Sequence, residues 1–224
     1  MTLLKDELLV YWVNICNQAN INDNDVVNDV YNVIVSMYSE IGRYYHTLEH
    51  INSMLQLSVQ YQHYIKDIVS LQLAIFFHDI VYNAKSGTNE DDSVVLFVSL
   101  LSNHLEKRII DKVSKFIMST KSHQLSHDND DDDDDGDEKL FLDFDMEVLS
   151  WPRESYIKYA GNIRREYIHV ELDDYCKRRS TFLRNTINSG SKIFHSQHYA
   201  NNEQIAKDNM KYECNLLEKN LIPS

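Results

Sequence analysis

Glycine, proline and cysteine are all scarce in this chain of 224 residues. It contains 5 glycines and 2 prolines, fewer than the turns of a β-sandwich or β-barrel require and far fewer than a collagen-like chain contains. Its 3 cysteines, Cys16, Cys176 and Cys214, have the spacing of neither a zinc site nor a redox motif. This usage favours reduced thiols and an intracellular, cytoplasmic location.

Long hydrophobic runs are also missing. Charged residues interrupt every apolar segment before it reaches the ~20 residues that a membrane-spanning helix needs. Near the N-terminus, Lys5, Asp6 and Glu7 follow the first apolar residues, and no small-residue cleavage site comes after them. We therefore expect neither a secretory signal nor a membrane partner.

The chain lacks a basic excess. Its formal net charge is -13, and nine acids lie between Asp128 and Glu138 without a basic residue among them. Without those nine, the rest of the chain carries only about -4. Because contacts with nucleic-acid phosphates need a basic face, we expect no nucleic-acid partner. Like charges at this density repel one another and stay hydrated, so residues 127–138 are predicted to be a disordered acidic insertion.

The apolar residues that are present recur at steps of three and four, the period of an amphipathic helix. No repeat or linker divides the sequence, so we expect one compact, all-α, multi-helix domain over residues 1–224. Helices are predicted at residues 3–19, 25–40, 47–63, 67–82, 90–102, 105–121, 139–150, 153–169, 171–188 and 201–219.

One histidine–aspartate pair stands in an almost wholly apolar segment, residues 71–82. Along a helix, His78 would share a buried stripe with Leu71, Ile75 and Tyr82. Asp79 follows in the same surroundings, where a carboxylate is costly unless a cation or several hydrogen-bond donors compensate it. The pair is therefore either a part of a metal site or a core pair satisfied by hydrogen bonds.

Two further segments place polar ligand types among apolar residues. His46 and His50 are four residues apart, which puts them on one side of a helix that begins there. Asp145 shares a predicted helix face with Leu142 and Leu149. Histidines in a core and aspartates at helix caps are common, so each segment alone has a structural interpretation. Together, neutral imidazoles and carboxylates form a mixed nitrogen and oxygen set that suits a divalent ion with positions left for water.

The order of these residues resembles the HD superfamily of metal-dependent phosphohydrolases. More narrowly, the chain is similar to the branch described as predicted metal-dependent HD phosphohydrolases, and the resemblance covers nearly its whole length. The matching patterns are R-x-Y-H-x-x-x-H-I (Arg43, Tyr45, His46, His50, Ile51), F-H-D-x-V-Y (Phe77, His78, Asp79, Val81, Tyr82), N-E-x-x-S (Asn89, Glu90, Ser93), T-K-x-H (Thr120, Lys121, His123), F-L-D-x-D (Phe141, Leu142, Asp143, Asp145), I-R-x-E-Y (Ile163, Arg164, Glu166, Tyr167) and a tail with Ile193, Phe194 and Glu203.

The resemblance implies an all-helical HD fold and a role for each matching polar residue. The implied metal ligands are His50, His78, Asp79 and Asp145. His46 is similar to the non-ligand histidine that other HD phosphohydrolases use near the leaving group or the phosphate.

Three further residues are candidates for contact with the substrate. Arg43 has two parallel donors that suit a phosphate oxygen. Glu90 and His123 are candidates to contact the substrate or to bind a second ion. Their structural alternatives are an acid in the first turn of a helix and a cation at a helix end.

The implied activity is metal-assisted hydrolysis of a phosphate ester or anhydride in a small, nucleotide-like molecule. A divalent ion (Mn, Fe, Co, Ni, Mg or Zn) lowers the pKa of bound water to about 7, and protonated His46 gives a proton to the departing oxygen. Two alternatives remain open: an HD-type di-iron oxygenase, and a non-catalytic, metal-stabilised helical binding module. The sequence leaves the substrate, the metal, the number of ions and the oligomeric state undecided.

Overall fold

A computed structural model describes residues 2–125 and 135–223, and these residues form ten α-helices and no β-strand. The predicted all-α class is therefore confirmed. Short 3-10 helices cover Gln62–Tyr64, Glu147–Ser150 and Gln197–Tyr199. In the described part of the chain, no helix has both the length and the apolar character needed to cross a bilayer. The α-helices are α1 (Thr2–Gln18), α2 (Asn24–Met37), α3 (Leu48–Gln60), α4 (Ile68–Phe77), α5 (Asn89–Leu101), α6 (Lys107–Ser119), α7 (Asp135–Met146), α8 (Arg153–Glu166), α9 (Leu172–Asn188) and α10 (Asn202–Leu217).

Each predicted helix has a counterpart, and the largest error is at the end of α4. The pattern predicts a helix over residues 67–82, but α4 ends at Phe77, with His78 as its C-cap. The predicted stripe therefore holds from Leu71 through His78, and Tyr82 lies beyond the helix. No glycine or proline marks this end, so local sequence gives no signal for it.

The chain divides into two compact units, Met1–Phe141 and Leu142–Ser224. The boundary falls within α7. The single predicted domain spans both units.

In the first unit, α4 supplies the centre of the core. Every residue of α4 from Ser70 to Phe77 is buried, as expected for a helix that is apolar on all sides. Phe76 and Phe77 meet the Trp12 ring edge-on, with centroid distances of 5.5 and 6.2 Å. Trp12 donates its indole N–H to the Val27 carbonyl at 2.8 Å. Since α4 runs through this core, its C-terminal end brings His78 into the interior.

The start of α4 is held by a cluster of charged residues. Asp67 caps the helix by accepting the Ser70 N–H at 3.0 Å. The Lys112 ammonium lies 3.5 Å from the Asp67 carboxylate and 3.2 Å from that of Asp137. Asp137 also accepts the backbone N–H groups of Lys66 and Asp67, at 2.8 and 2.9 Å. Asp137 thereby connects the first turns of α7 to α4 and α6.

This cluster corrects the predicted extent of the acidic insertion. Residues 126–134 lie outside the described residues, but α7 begins at Asp135, within the stretch assigned to disorder. The side chain of Asp137 is 0% exposed, and buried Glu138 pairs with Lys115 at 3.5 Å. The two acids are buried because α6 supplies a cation to each of them, a compensation that a count of charges does not reveal.

The pH dependence of the free energy of unfolding tests the role of the Asp67 carboxylate in this cluster. Burial raises its pKa, but hydrogen bonds from Ser70 and the charge of Lys112 outweigh burial and bring the pKa below its usual value. A carboxyl group with a depressed pKa in the folded state stabilises the fold above its unfolded pKa of about 3.9, and this contribution is lost as pH falls through the folded pKa.

We therefore expect Asp67→Asn, which keeps a capping side chain, to lower the free energy of unfolding at about pH 7 by about 1 kcal/mol, a value reduced for solvent screening. The difference from wild type should shrink below about pH 4, as measured by urea unfolding. Asp111→Asn, which removes an exposed partner of Lys107, is the matched control. An Asp67→Asn deficit of the same size near pH 3 would contradict the role of the charge.

In the second unit, a buried ion pair joins α9 to α10. Arg179 Nε donates to Glu213 Oε1 at 2.9 Å, and its Nη2 reaches Glu213 Oε2 at 3.4 Å. The Tyr156 hydroxyl of α8 donates to the same carboxylate. Burial lowers the pKa of Arg179, but the neighbouring Glu213 outweighs burial and raises it well above its usual value. One carboxylate therefore connects three helices of this unit.

Asp143 and Glu203, which belong to the motifs that resemble the HD family, both bind backbone N–H groups in the second unit. Asp143 is buried and accepts the backbone N–H groups of His195 and Ser196, at 2.6 and 2.8 Å. Glu203 accepts the N–H groups of residues 193–194, at 3.0 and 3.3 Å. These contacts hold the segment that precedes α10.

Trp151, near the start of α8, donates its indole N–H to Glu147 at 3.1 Å.

Candidate metal centre

His50 enters the candidate site from the first turn of α3. Thr47 is the N-cap of this helix, and its hydroxyl accepts the Glu49 N–H at 3.3 Å. His50 lies within the helix and is buried, whereas His46 precedes the N-cap residue Thr47. The sequence interpretation that placed both histidines on one side of a helix is thus wrong for His46. The two rings are nevertheless close, with centroids 6.2 Å apart.

His78 is held by the last turn of α4 in an orientation that suits a metal ligand. Its Nδ1 lies 3.0 Å from the Ile75 carbonyl oxygen. Because a carbonyl only accepts hydrogen bonds, Nδ1 carries the proton, and Nε2 of the neutral ring keeps its lone pair. A backbone partner at the far nitrogen is the arrangement typical of metal-binding histidines. The ring also meets Phe141 edge-on, at 5.9 Å between centroids.

Asp79 completes a set of three donor atoms within the first unit. Its Oδ2 lies 3.0 Å from His78 Nε2 and 3.8 Å from His50 Nε2. The two Nε2 atoms are 3.2 Å apart. The Asp79 side chain is 17% exposed, compared with 1% for His78, so the set lies at the edge of the core. Two imidazole nitrogens and a carboxylate oxygen converge there, which fits a divalent ion.

Asp145 is the other predicted ligand and lies in the last turn of α7. It is half-buried and follows Phe141, the residue that contacts His78, by four positions on the same uninterrupted helix. His50, His78 and Asp145 offer donor types that can hold a metal ion.

Arg43 has contacts that the sequence does not predict. It is buried, and its Nη1 and Nη2 donate to the backbone carbonyls of Asp79 and Ile80, each at 2.7 Å. The guanidinium carbon also lies 5.0 Å from the Tyr38 ring centroid and 5.6 Å from that of Tyr82. The two donors assigned to a phosphate oxygen thus bind the backbone of the turn that carries Asp79. Direct contact between Arg43 and a substrate stays a prediction.

His46 lies next to the His50 ring, within a group of aromatic rings. It stacks on Tyr82 with a centroid distance of 4.1 Å and meets Tyr45 edge-on at 5.0 Å. Tyr45 in turn lies 4.8 Å from the His50 ring. These rings fix the imidazole plane of His46 next to the candidate ligands. Its role as a proton donor stays a prediction.

Glu90 and His123 lie where their structural interpretations place them. Glu90 is in the first turn of α5, where an acid is favoured by the helix dipole. His123 follows α6 and has a left-handed backbone, with a φ of 49°. Among the described residues, the group that can hold a metal contains neither of them. Their roles toward a substrate or second ion stay predictions.

Comparison with known proteins gives no relative for this chain. No family model matches it, and no curated protein or solved structure is significantly similar. Any proposal for the function therefore depends on the residues of the chain and on their geometry.

Proposed function

We propose that this chain is a metal-dependent phosphohydrolase of the HD superfamily that acts on a phosphate ester or anhydride of a small, nucleotide-like molecule. The observation that supports the proposal best is the convergence of His50, His78 and Asp79, whose donor atoms lie 3.0 to 3.8 Å apart. A core pair satisfied by hydrogen bonds would need only His78 and Asp79. A third ligand-type atom from a distant helix favours a metal site.

Asp145 is the proposed fourth ligand. Phe141 contacts the His78 ring, and a residue four positions later on a helix lies on the same face. Together with Asp79 it would supply two negative charges, which balance a divalent cation without further compensation. Two imidazole donors favour a first-row transition ion over Mg²⁺, which prefers oxygen ligands and retains its waters.

The chain's own residues have separate tasks in the proposed reaction. When bound, a divalent ion supplies Lewis acidity, which lowers the pKa of water and polarises a phosphoryl oxygen. His46, held in plane by Tyr82 at 4.1 Å, is the residue proposed to give a proton to the leaving oxygen. A divalent ion would offset the charge of the two carboxylates, so that an anionic phosphate would not be repelled.

Removal of the metal tests the proposal directly. We expect purified protein to contain a transition ion and to release phosphate from at least one member of a nucleotide and phosphate-ester panel. Chelation should lower the rate by about 100-fold or more, and one of Mn²⁺, Fe²⁺, Co²⁺, Ni²⁺ or Zn²⁺ should restore it. The measurements are metal analysis and a phosphate-release assay.

Three results would contradict the proposal. Phosphate release that is insensitive to chelation would exclude a metal-dependent reaction. Stabilisation by metal without turnover of any panel member would favour a non-catalytic binding module. Iron-dependent oxygen uptake without phosphate release would favour a di-iron oxygenase.

A further inference from the structure

The turn that carries Asp79, residues 78–82, is fastened from two sides by residues outside the proposed ligand set. We propose that Arg43 and Ser93 are positioning residues of the metal site, which hold this turn so that the Asp79 carboxylate faces the two histidines. The inference rests on the proposed metal site. It assigns a task to two motif residues, Arg43 in R-x-Y-H and Ser93 in N-E-x-x-S, that are not themselves ligands.

Arg43 holds the carbonyl side of the turn. Asp79 and Ile80 follow α4, which ends at Phe77 with His78 as its C-cap, so their carbonyls lie beyond the last turn of the helix. Arg43 supplies partners from 36 and 37 residues away, at 2.7 Å to the carbonyls of Asp79 and Ile80. The planar guanidinium presents its donors in a rigid fork, which fixes both carbonyls relative to each other.

The environment of Arg43 keeps its guanidinium in place. The residue is 7% exposed, and Glu40 lies 3.6 Å from its Nη2. The guanidinium faces the rings of Tyr38 and Tyr82, an arrangement that stabilises a cation. A lysine would retain the charge but not the pair of parallel donors.

Ser93 holds the amide side of the same turn. It is 0% exposed on α5, and its hydroxyl accepts the Val81 N–H at 3.1 Å. The same hydroxyl lies 3.4 Å from the Val81 carbonyl, to which it donates. Arg43 and Ser93 therefore bind consecutive peptide groups of the turn, from residue 79 to residue 81.

Arg43 and Ser93 together form a clamp on the turn of residues 78–82, and this clamp has a direct consequence for metal affinity. Asp79 is not part of α4, so the helix alone does not fix its carboxylate. Ligands must be held to within about 0.5 Å of their productive positions. If the clamp is removed, all ligands remain, but the turn can relax and the Asp79 oxygen leaves its place near His50 and His78. Loss of such supporting contacts typically weakens metal binding by about 10- to 100-fold.

Mn²⁺ binding by the full chain tests the clamp. By calorimetry we expect Arg43→Ala to weaken Mn²⁺ binding by about 10- to 100-fold and Ser93→Ala by about 10-fold. Ethylguanidinium should restore part of the affinity of Arg43→Ala, and Arg43→Lys should recover less than half of the loss on a logarithmic scale. The matched controls are Arg108→Ala, which removes an exposed arginine, and Ser119→Ala, which removes a buried serine bonded within its own helix.

Each outcome decides the inference. Wild-type affinity in folded Arg43→Ala and Ser93→Ala would overturn it and leave the proposed function intact. If Arg43→Ala does not fold, Arg43→Lys and Ser93→Ala give the same comparison. If wild type binds neither Mn²⁺ nor another ion, the proposed function fails, and hydrogen exchange decides the clamp by itself. Amides 79–82 should then exchange at least about 10-fold faster in the variants, and unchanged exchange would overturn it.

Discussion

Asp79→Ala is expected to abolish metal binding and to reduce phosphate release by about 1,000-fold or more, a loss of about 4 kcal/mol in the barrier. The Asp79 oxygen lies within 3.8 Å of both histidine nitrogens, so its removal would leave a bound ion with two imidazoles and no anionic ligand in the first unit. Metal analysis and the phosphate-release assay measure both effects.

The stability of the metal-free protein separates a metal ligand from a structural residue. If Asp79 serves as a ligand, alanine should leave the metal-free melting temperature unchanged or raise it, because a partly buried carboxylate without its cation is costly. The increase in melting temperature on adding metal should disappear. If Asp79 instead satisfies a core histidine, alanine should lower the melting temperature without metal.

A matched aspartate controls for the loss of charge. Asp29→Ala removes an exposed carboxylate from α2 of the same unit, and it should keep wild-type metal content and turnover. Asp79→Asn, which retains the shape of the side chain, should behave like Asp79→Ala. Wild-type metal content in Asp79→Ala would eliminate Asp79 as a ligand.

Glu213→Ala is expected to lower the free energy of unfolding by about 3 to 5 kcal/mol, the largest stability effect that we predict. The side chain of Glu213 is 1% exposed and accepts from both Arg179 and Tyr156. Alanine leaves a cation without its partner at a mostly buried site and a tyrosine hydroxyl without an acceptor. The midpoint of urea unfolding, followed by helical circular dichroism, gives the difference.

A second ion pair between the same two helices provides the comparison. Arg184 of α9 pairs with Glu218, the C-cap of α10, and both side chains are exposed, at 55% and 41%. Glu218→Ala should therefore cost less than about 1 kcal/mol. Glu213→Gln, which keeps an acceptor for Tyr156, should fall between the two. Equal destabilisation by Glu213→Ala and Glu218→Ala would refute the special role of the buried carboxylate.

The helices are predictable from the sequence because their apolar periodicity is local. The end of α4 is not, since residues 76–82 contain no glycine or proline to stop a helix. Arg43 binds the carbonyls of residues 79–80, and this contact joins segments more than thirty residues apart. A tertiary contact of this kind, made just beyond the helix, has no signal in the periodicity of α4.

The sequence likewise predicts some features of the candidate site and not others. The apolar surroundings of His78 and Asp79 single them out, because a buried carboxylate requires compensation. Their meeting with His50 depends on packing between α3 and α4, which spacing along the chain does not provide. The density of acids predicts a hydrated Asp137, but this residue is buried because Lys112 lies opposite it. Spacing along the chain does not show which acids pair with the lysines of α6.

The two tryptophans of the chain are divided between the two units. Trp12 is buried against Phe76 and Phe77 in the first, and Trp151 lies in the second, bonded to Glu147. Each unit therefore contains its own intrinsic fluorophore. In a chain with a single tryptophan retained, emission during denaturation would report one unit at a time, so the cooperativity between the two units can be measured without any attached label.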